Sequence, residues 1–169
     1  ILRHDDSLAA PAGDAPATVR LPRPSTSLVG RNVETAAVVG LFAHDDVRLL
    51  TLTGPGGTGK TRLALAAGEE LARELADGAV FVDLAPVSDP RLVLDAIARE
   101  LRVPEDDGAL LDVVCAHVSD RSLLLVLDNF EQVLDAADVV SRLLAAAARL
   151  RVLATSRVPL RLSGEHEYP

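Results

Sequence analysis

Only one of the 17 basic residues is a lysine, Lys60; the other sixteen are arginines. Set against 25 acids, they leave a net charge of -8 and an isoelectric point of about 4.9. That balance argues against a surface that grips DNA or RNA by itself, because phosphate binding needs basic groups. The single cysteine, Cys115, excludes an internal disulfide and fits a cytoplasmic protein. No apolar run reaches the roughly 18 residues of a membrane span, and no signal peptide opens the chain. The four histidines, His4, His44, His117 and His166, are scattered without metal-ligand spacing. No Ser-His-Asp arrangement is legible. Methionine is absent even from the first position, so the sequence reads as a piece of a longer protein. Its end, "GEHEYP", carries neither a helix cap nor a polar tail.

What is present is a chain of 169 residues, 49% hydrophobic, long enough for one domain with a real core. The bias toward alanine and arginine reads as GC-rich coding rather than function. Residues 9–24, "AAPAGDAPATVRLPRP", lack periodicity and read as a linker. From residue 25 the pattern changes to a turn and a helix with Val33, Ala37, Val38 and Leu41 on one side. Strands at 48–54, 79–85, 122–128 and 151–157 then alternate with helices at 60–76, 89–103, 108–120 and 136–150. This alternation predicts an α/β fold, a parallel sheet with helices on both faces. The run 122–128 is almost wholly apolar, as a central strand buried on both sides should be. Cys115 sits among apolar residues in mid-helix and reads as packed core. Asp89, Asp95, Asp106 and Asp107 read as surface charge and caps.

Between the first long strand and the following helix lies "GPGGTGKT", residues 54–61. It matches G-x-x-x-x-G-K-[ST] at every fixed position, in the strand-to-helix context the motif requires. Glycines at 54, 56, 57 and 59 let the backbone curl so that successive N–H groups face inward, and the helix adds its positive end. The cradle is Gly54, Pro55, Gly56, Gly57, Thr58 and Gly59, with Arg62 just beyond. Lys60 can reach β- and γ-phosphates, and Thr61 can offer its hydroxyl to Mg²⁺. A plain glycine turn would leave Lys60 and Thr61 without a purpose. Gly54, Gly56 and Gly59 also satisfy G-x-G-x-x-G, with Asp83 at the next strand end. That dinucleotide reading leaves Lys60-Thr61 and the second acidic strand unexplained.

Asp128 closes the apolar strand, and beside a phosphate loop its expected role is to hold magnesium. The next residue, Asn129, can orient a water but cannot take its proton. Glu131 can accept a proton, yet it is equally readable as a solvated acid before the next helix. The strand "RVLATSR" ends in Thr155, Ser156 and Arg157. In a doubly wound sheet this end shares a rim with the loop and Asp128. Arg157 can sense a γ-phosphate by charge-assisted hydrogen bonds. The candidate catalytic set is therefore Lys60, Asp128, Glu131 and Arg157, with Thr61 and Asp128 for the metal.

"LVGRNVE", "GPGGTGKTR", "LLLVLDNFE" and "VLATSR" occur in this order at suitable spacing. Together they resemble the STAND class of signal-transduction NTPases, in the AP-ATPase or NB-ARC branch, over about residues 25–169. The wording is closest to the modules of bacterial SARP-type and LuxR-type transcriptional regulators. "ILRHDDSLAAP" resembles the end of the helical activation domain of SARP-type proteins. The resemblance implies a P-loop NTPase three-layer sandwich with a five-stranded core. Its arginine strand would lie between the phosphate-loop strand and the Asp128 strand. It nominates Val29, Gly30 and Arg31 for base or ribose contacts, supports Arg157 as a sensor, and alone supplies the preference for adenine. The expected organisation is a linker and upstream tail at 1–24 and a nucleotide-binding domain at 25–169. The expected function is an ATP/ADP-binding, Mg²⁺-dependent switch with slow hydrolysis. Its partners are the other domains of a longer chain and a signal-dependent oligomer, with DNA reached only through domains outside this sequence. The alternatives are a faster P-loop ATPase or a kinase, although neither an acceptor site nor a lid is legible.

Overall fold

The computed structural model describes residues 19–22 and 30–169. Val29 and the upstream tail that suggested an activation domain lie outside the described residues. Strands are β1 (Val19–Arg20), β2 (Leu49–Thr53), β3 (Ala79–Asp83), β4 (Leu123–Asp128), β5 (Leu150–Ser156) and β6 (Glu165–Tyr168). Helices are α1 (Asn32–Phe42), α2 (Lys60–Leu71), α3 (Val93–Leu101), α4 (Leu110–Val118) and α5 (Ala137–Ala146). The sheet order is β1-β3-β4-β5-β2-β6, and every pairing is parallel.

Strand alternation divides the core in two. Leu123, Leu125 and Leu127 of β4 point to a cluster with Val93 and Ile97 of α3, Val114 of α4, and Val140 and Leu143 of α5. Leu124 and Val126 point the other way, to Val38 and Phe42 of α1 and Leu63, Ala67 and Leu71 of α2. The result is the three-layer α/β sandwich that the alternating sequence predicts. All six residues of β4 are buried, as a strand covered on both faces requires. The arginine strand β5 lies between β4 and β2, in the order the resemblance implies.

Four sequence readings need correction. The first concerns the segment 9–24 read as a linker. It contributes β1, which pairs with β3 through Val19↔Ala79 and Arg20↔Val80. Two residues suffice because Arg20 also donates to the Glu100 carbonyl at 2.8 Å, on the neighbouring helix. The second concerns the buried stripe of α1, which is Thr35, Val38 and Phe42, while Val33 is 81% exposed. Thr35 tolerates burial because its hydroxyl donates to the Arg31 carbonyl at 2.9 Å. The third concerns "EHEY", read as a bare chain end, which is strand β6 beside β2. Its anchor is Glu165. Oε1 accepts from the Thr51 hydroxyl (2.6 Å) and the Leu160 N–H (2.8 Å); Oε2 accepts from the Arg161 N–H (2.7 Å) and the Leu162 N–H (3.3 Å). The single helix expected at 89–103 also begins as a separate turn, Pro90–Leu92, capped by the Asp89 carboxylate.

Candidate nucleotide site

Parallel pairing puts the C-terminal ends of β2, β3, β4 and β5 on one rim. Register brings Thr53 opposite Ser156 and Asp83 opposite Asp128. The loop after β2 turns through left-handed glycines, Gly54 (φ 141°), Gly57 (φ 79°) and Gly59 (φ 86°), before α2 starts at Lys60. A side chain at Gly59 would be strained by that φ and would crowd the Arg31 guanidinium, about 3.4 Å from its Cβ. The Lys60 ammonium is folded back on the loop, donating to the carbonyls of Gly54 (2.8 Å) and Pro55 (2.7 Å). It holds the position from which a lysine head can turn to a phosphate. The Thr58 hydroxyl donates to the Pro55 carbonyl at 3.0 Å. Pro55, Gly56, Gly57 and Thr58 are exposed at the rim, as is Arg62 in the first turn of α2.

Asp128 is 3% exposed and its carboxylate is fully engaged. Thr61 donates to both oxygens, at 2.8 and 2.9 Å. Thr155 donates to Oδ1 at 2.5 Å, and the Asn129 amide donates to Oδ2 at 3.0 Å. The Thr155 hydroxyl in turn accepts from the Asn129 backbone N–H at 3.0 Å. Asn129 sits in the left-handed region (φ 61°), which asparagine tolerates better than most residues. Its side chain also reaches Asp83, 3.5 Å away. The hydroxyl and carboxylate of Thr61 and Asp128 form an all-oxygen pair at a helix start, the donor chemistry a hard cation such as Mg²⁺ takes. The residues present therefore fit both a phosphate chain and its magnesium. No cluster of three or more His, Cys, Asp or Glu side chains placed to hold a metal ion occurs among the described residues.

Glu131 lies in a single helical turn, Phe130–Gln132, directly after Asn129. Its Oε1 is 3.4 Å from Arg157 Nε, and its Oε2 is buried without a hydrogen-bond partner. The Arg157 guanidinium also lies against the loop, 3.4 Å from where a Cβ on Gly56 would sit. Arg31 lies against the loop at Gly59, where it donates to the Thr58 carbonyl at 2.5 Å. There a cleft of about 250 Å³ opens among Arg31, Glu34, Thr53, Thr58, Lys60 and Tyr168. Sequence reasoning brought Lys60, Thr61, Asp128 and Arg157 to one rim and left Glu131 open; the structure gathers the four there and sets Glu131 beside Arg157. It missed Thr155 and Asn129 as hydrogen-bond partners of Asp128, and Glu34 and Tyr168 beside Arg31. The polar triplet ending the otherwise apolar strand β5 was the available signal for Thr155; nothing in the sequence marked Glu34 or Tyr168.

Comparison with known proteins agrees with this geometry. Residues 44–168 match the family described as AAA domain. A Mycobacterium tuberculosis protein named as an HTH-type transcriptional regulator is 45% identical over 120 residues, covering 70% of this chain and 13% of that protein. The regulatory protein AfsR of Streptomyces griseus is 30% identical, covering 98% of this chain and 19% of AfsR. The chain thus spans less than a fifth of either relative. Among solved structures, a signal transduction ATPase with numerous domains from Pyrococcus horikoshii, with a tetratricopeptide repeat sensor, superposes with a TM-score of 0.59. It is 17% identical and covers 90% of this chain and 24% of that one, which speaks to fold alone. With the family match running from just before β2 through β6, and a phosphate-loop rim in the geometry that such domains need, the chain belongs to the AAA domain family of P-loop NTPases.

Proposed function

We propose that this domain is the nucleotide-holding switch of a larger transcriptional regulator. It binds ATP and ADP with Mg²⁺ and hydrolyses ATP slowly. The observation that carries this reading is the state of the two acids on the rim. Asp128 accepts from Thr61, Thr155 and Asn129, so it is fixed as an acceptor beside the metal-binding hydroxyl. The position next to it, where a proton acceptor would speed hydrolysis, is the amide Asn129. The remaining candidate base, Glu131, is paired with Arg157. A site built this way favours holding a triphosphate over cleaving it quickly.

In this reading the loop N–H groups and Lys60 bind the phosphates, and Thr61 and Asp128 hold magnesium. Bound there, magnesium would supply charge neutralisation. Glu131 orients or deprotonates water, and Arg157 reads the γ-phosphate. The cleft beside Arg31 takes the base, and adenine is the expected one. The names of the two bacterial relatives support a place in a regulatory protein; the motif resemblance adds the STAND type and the SARP or LuxR kind, with residues 25–169 as the NTPase unit. DNA contact then belongs to other parts of the longer chain. No helix among the described residues is long and apolar enough to cross a membrane; the proposed role itself implies a cytoplasmic setting.

Phosphate release tests the switch. The intact protein, mixed with MgATP, should give one phosphate per site and then retain ADP. Many turnovers per second without a partner would replace this reading with that of a fast ATPase.

A further inference from the structure

Glu131 is the least satisfied acid on the rim. Its carboxylate is mostly covered, with a side-chain exposure of 18%, and Oε2 has no hydrogen-bond partner. A carboxylate held out of water needs compensation, and Arg157 provides the ion pair at 3.4 Å. The guanidinium itself is 66% exposed and lies along the phosphate loop at Gly56. One cationic group thus touches both an acid of the chain and the wall of the site where a terminal phosphate would arrive.

We propose that Glu131 sets the preference of the site for triphosphate over diphosphate by competing with the γ-phosphate for Arg157. The inference rests on the nucleotide-binding reading above. In the nucleotide-free protein, Arg157 belongs to Glu131. A triphosphate must draw it away, and part of its binding free energy is used to break the pair. A diphosphate has no terminal group to make that demand. Competition of this kind has a fixed sign: weakening the Glu131 partner strengthens the ligand that needs Arg157 and leaves the other ligand alone. The exchange also releases Glu131 only when a triphosphate is bound, which confines its proton-accepting role to that state.

The test is a double-mutant cycle read by calorimetry on the intact protein. A non-hydrolysable ATP analogue and ADP are titrated separately, each with Mg²⁺. Glu131→Gln should tighten the analogue about three- to fivefold, the scale of a partly exposed ion pair, and change ADP by less than about twofold. Arg157→Ala should weaken the analogue and erase the effect of Glu131→Gln. Glu131→Asp, which shortens the reach to Arg157, should act in the same direction as Glu131→Gln and serves if the amide variant does not fold. Equal gains for both nucleotides, or an undiminished gain with Arg157 removed, would mean that Glu131 acts only as a nearby negative charge and would overturn the proposal. A weaker analogue in Glu131→Gln would mean that Arg157 bridges both groups, and no change would mean that the pair is idle; either sinks it. Wild-type protein that binds neither nucleotide refutes the broader reading instead.

Discussion

Thr155→Val should cost about 2.5–3.5 kcal/mol of stability, a large share of the about 5–15 kcal/mol a typical domain has. Thr155 is 2% exposed, and its hydroxyl works in both directions. It donates to the Asp128 carboxylate at 2.5 Å and accepts from the Asn129 N–H at 3.0 Å. A hydrogen bond to a charged group contributes about 1.5–3 kcal/mol, and a donor left unpaired costs about 1–3 kcal/mol more. Two facts hold the sum to the lower part of that range. Asp128 keeps its bonds from Thr61 and the Asn129 side chain, and Asn129 is only half-buried, so water can reach its N–H. Valine nearly conserves the volume, so cavity formation adds little. Urea denaturation measures the loss as a lower midpoint at an unchanged slope. A loss below about 0.5 kcal/mol, the range of an ordinary surface substitution, would refute the idea that Thr155 holds Asp128 in place.

Glu165→Ala should loosen β6. It removes the acceptor of the Leu160, Arg161 and Leu162 N–H groups and of buried Thr51, at an expected cost of about 2–4 kcal/mol by thermal or urea unfolding. Because β6 carries Tyr168 to the cleft beside Arg31, nucleotide affinity should fall with it. Asp128→Asn should leave the domain folded but make nucleotide affinity insensitive to Mg²⁺, measured by titration with magnesium and with a chelator; retained magnesium dependence would remove Asp128 from the metal site.

The centre of the sheet was legible because its signals are local. β4 is an apolar run, and burial on both faces leaves no other pattern. The phosphate loop is legible through fixed spacing, since Gly54, Gly59, Lys60 and Thr61 each answer a separate geometric demand. The edges were not legible. β1 is two residues inside an alanine- and proline-rich stretch, and it exists through pairing with β3. β6 has the charged sequence "EHEY", and its anchor reaches Thr51 across 114 positions. In α1, Thr35 reads as polar surface until its hydroxyl is seen to satisfy itself on the preceding turn, which shifts the buried stripe away from Val33. The fine structure of the site had the same limit. Asp128 was visible as an acid at a strand end, but its partners Asn129 and Thr155 come together through sheet register and a left-handed turn.

Binding of MgATP to the intact protein and to its Lys60→Ala variant tests the central claim most directly. Lys60 is the only lysine and reaches into the loop from the first turn of α2. The account predicts saturable binding to the wild type and its abolition or severe weakening in the variant, with the fold retained. Equal affinity in the two proteins would contradict it.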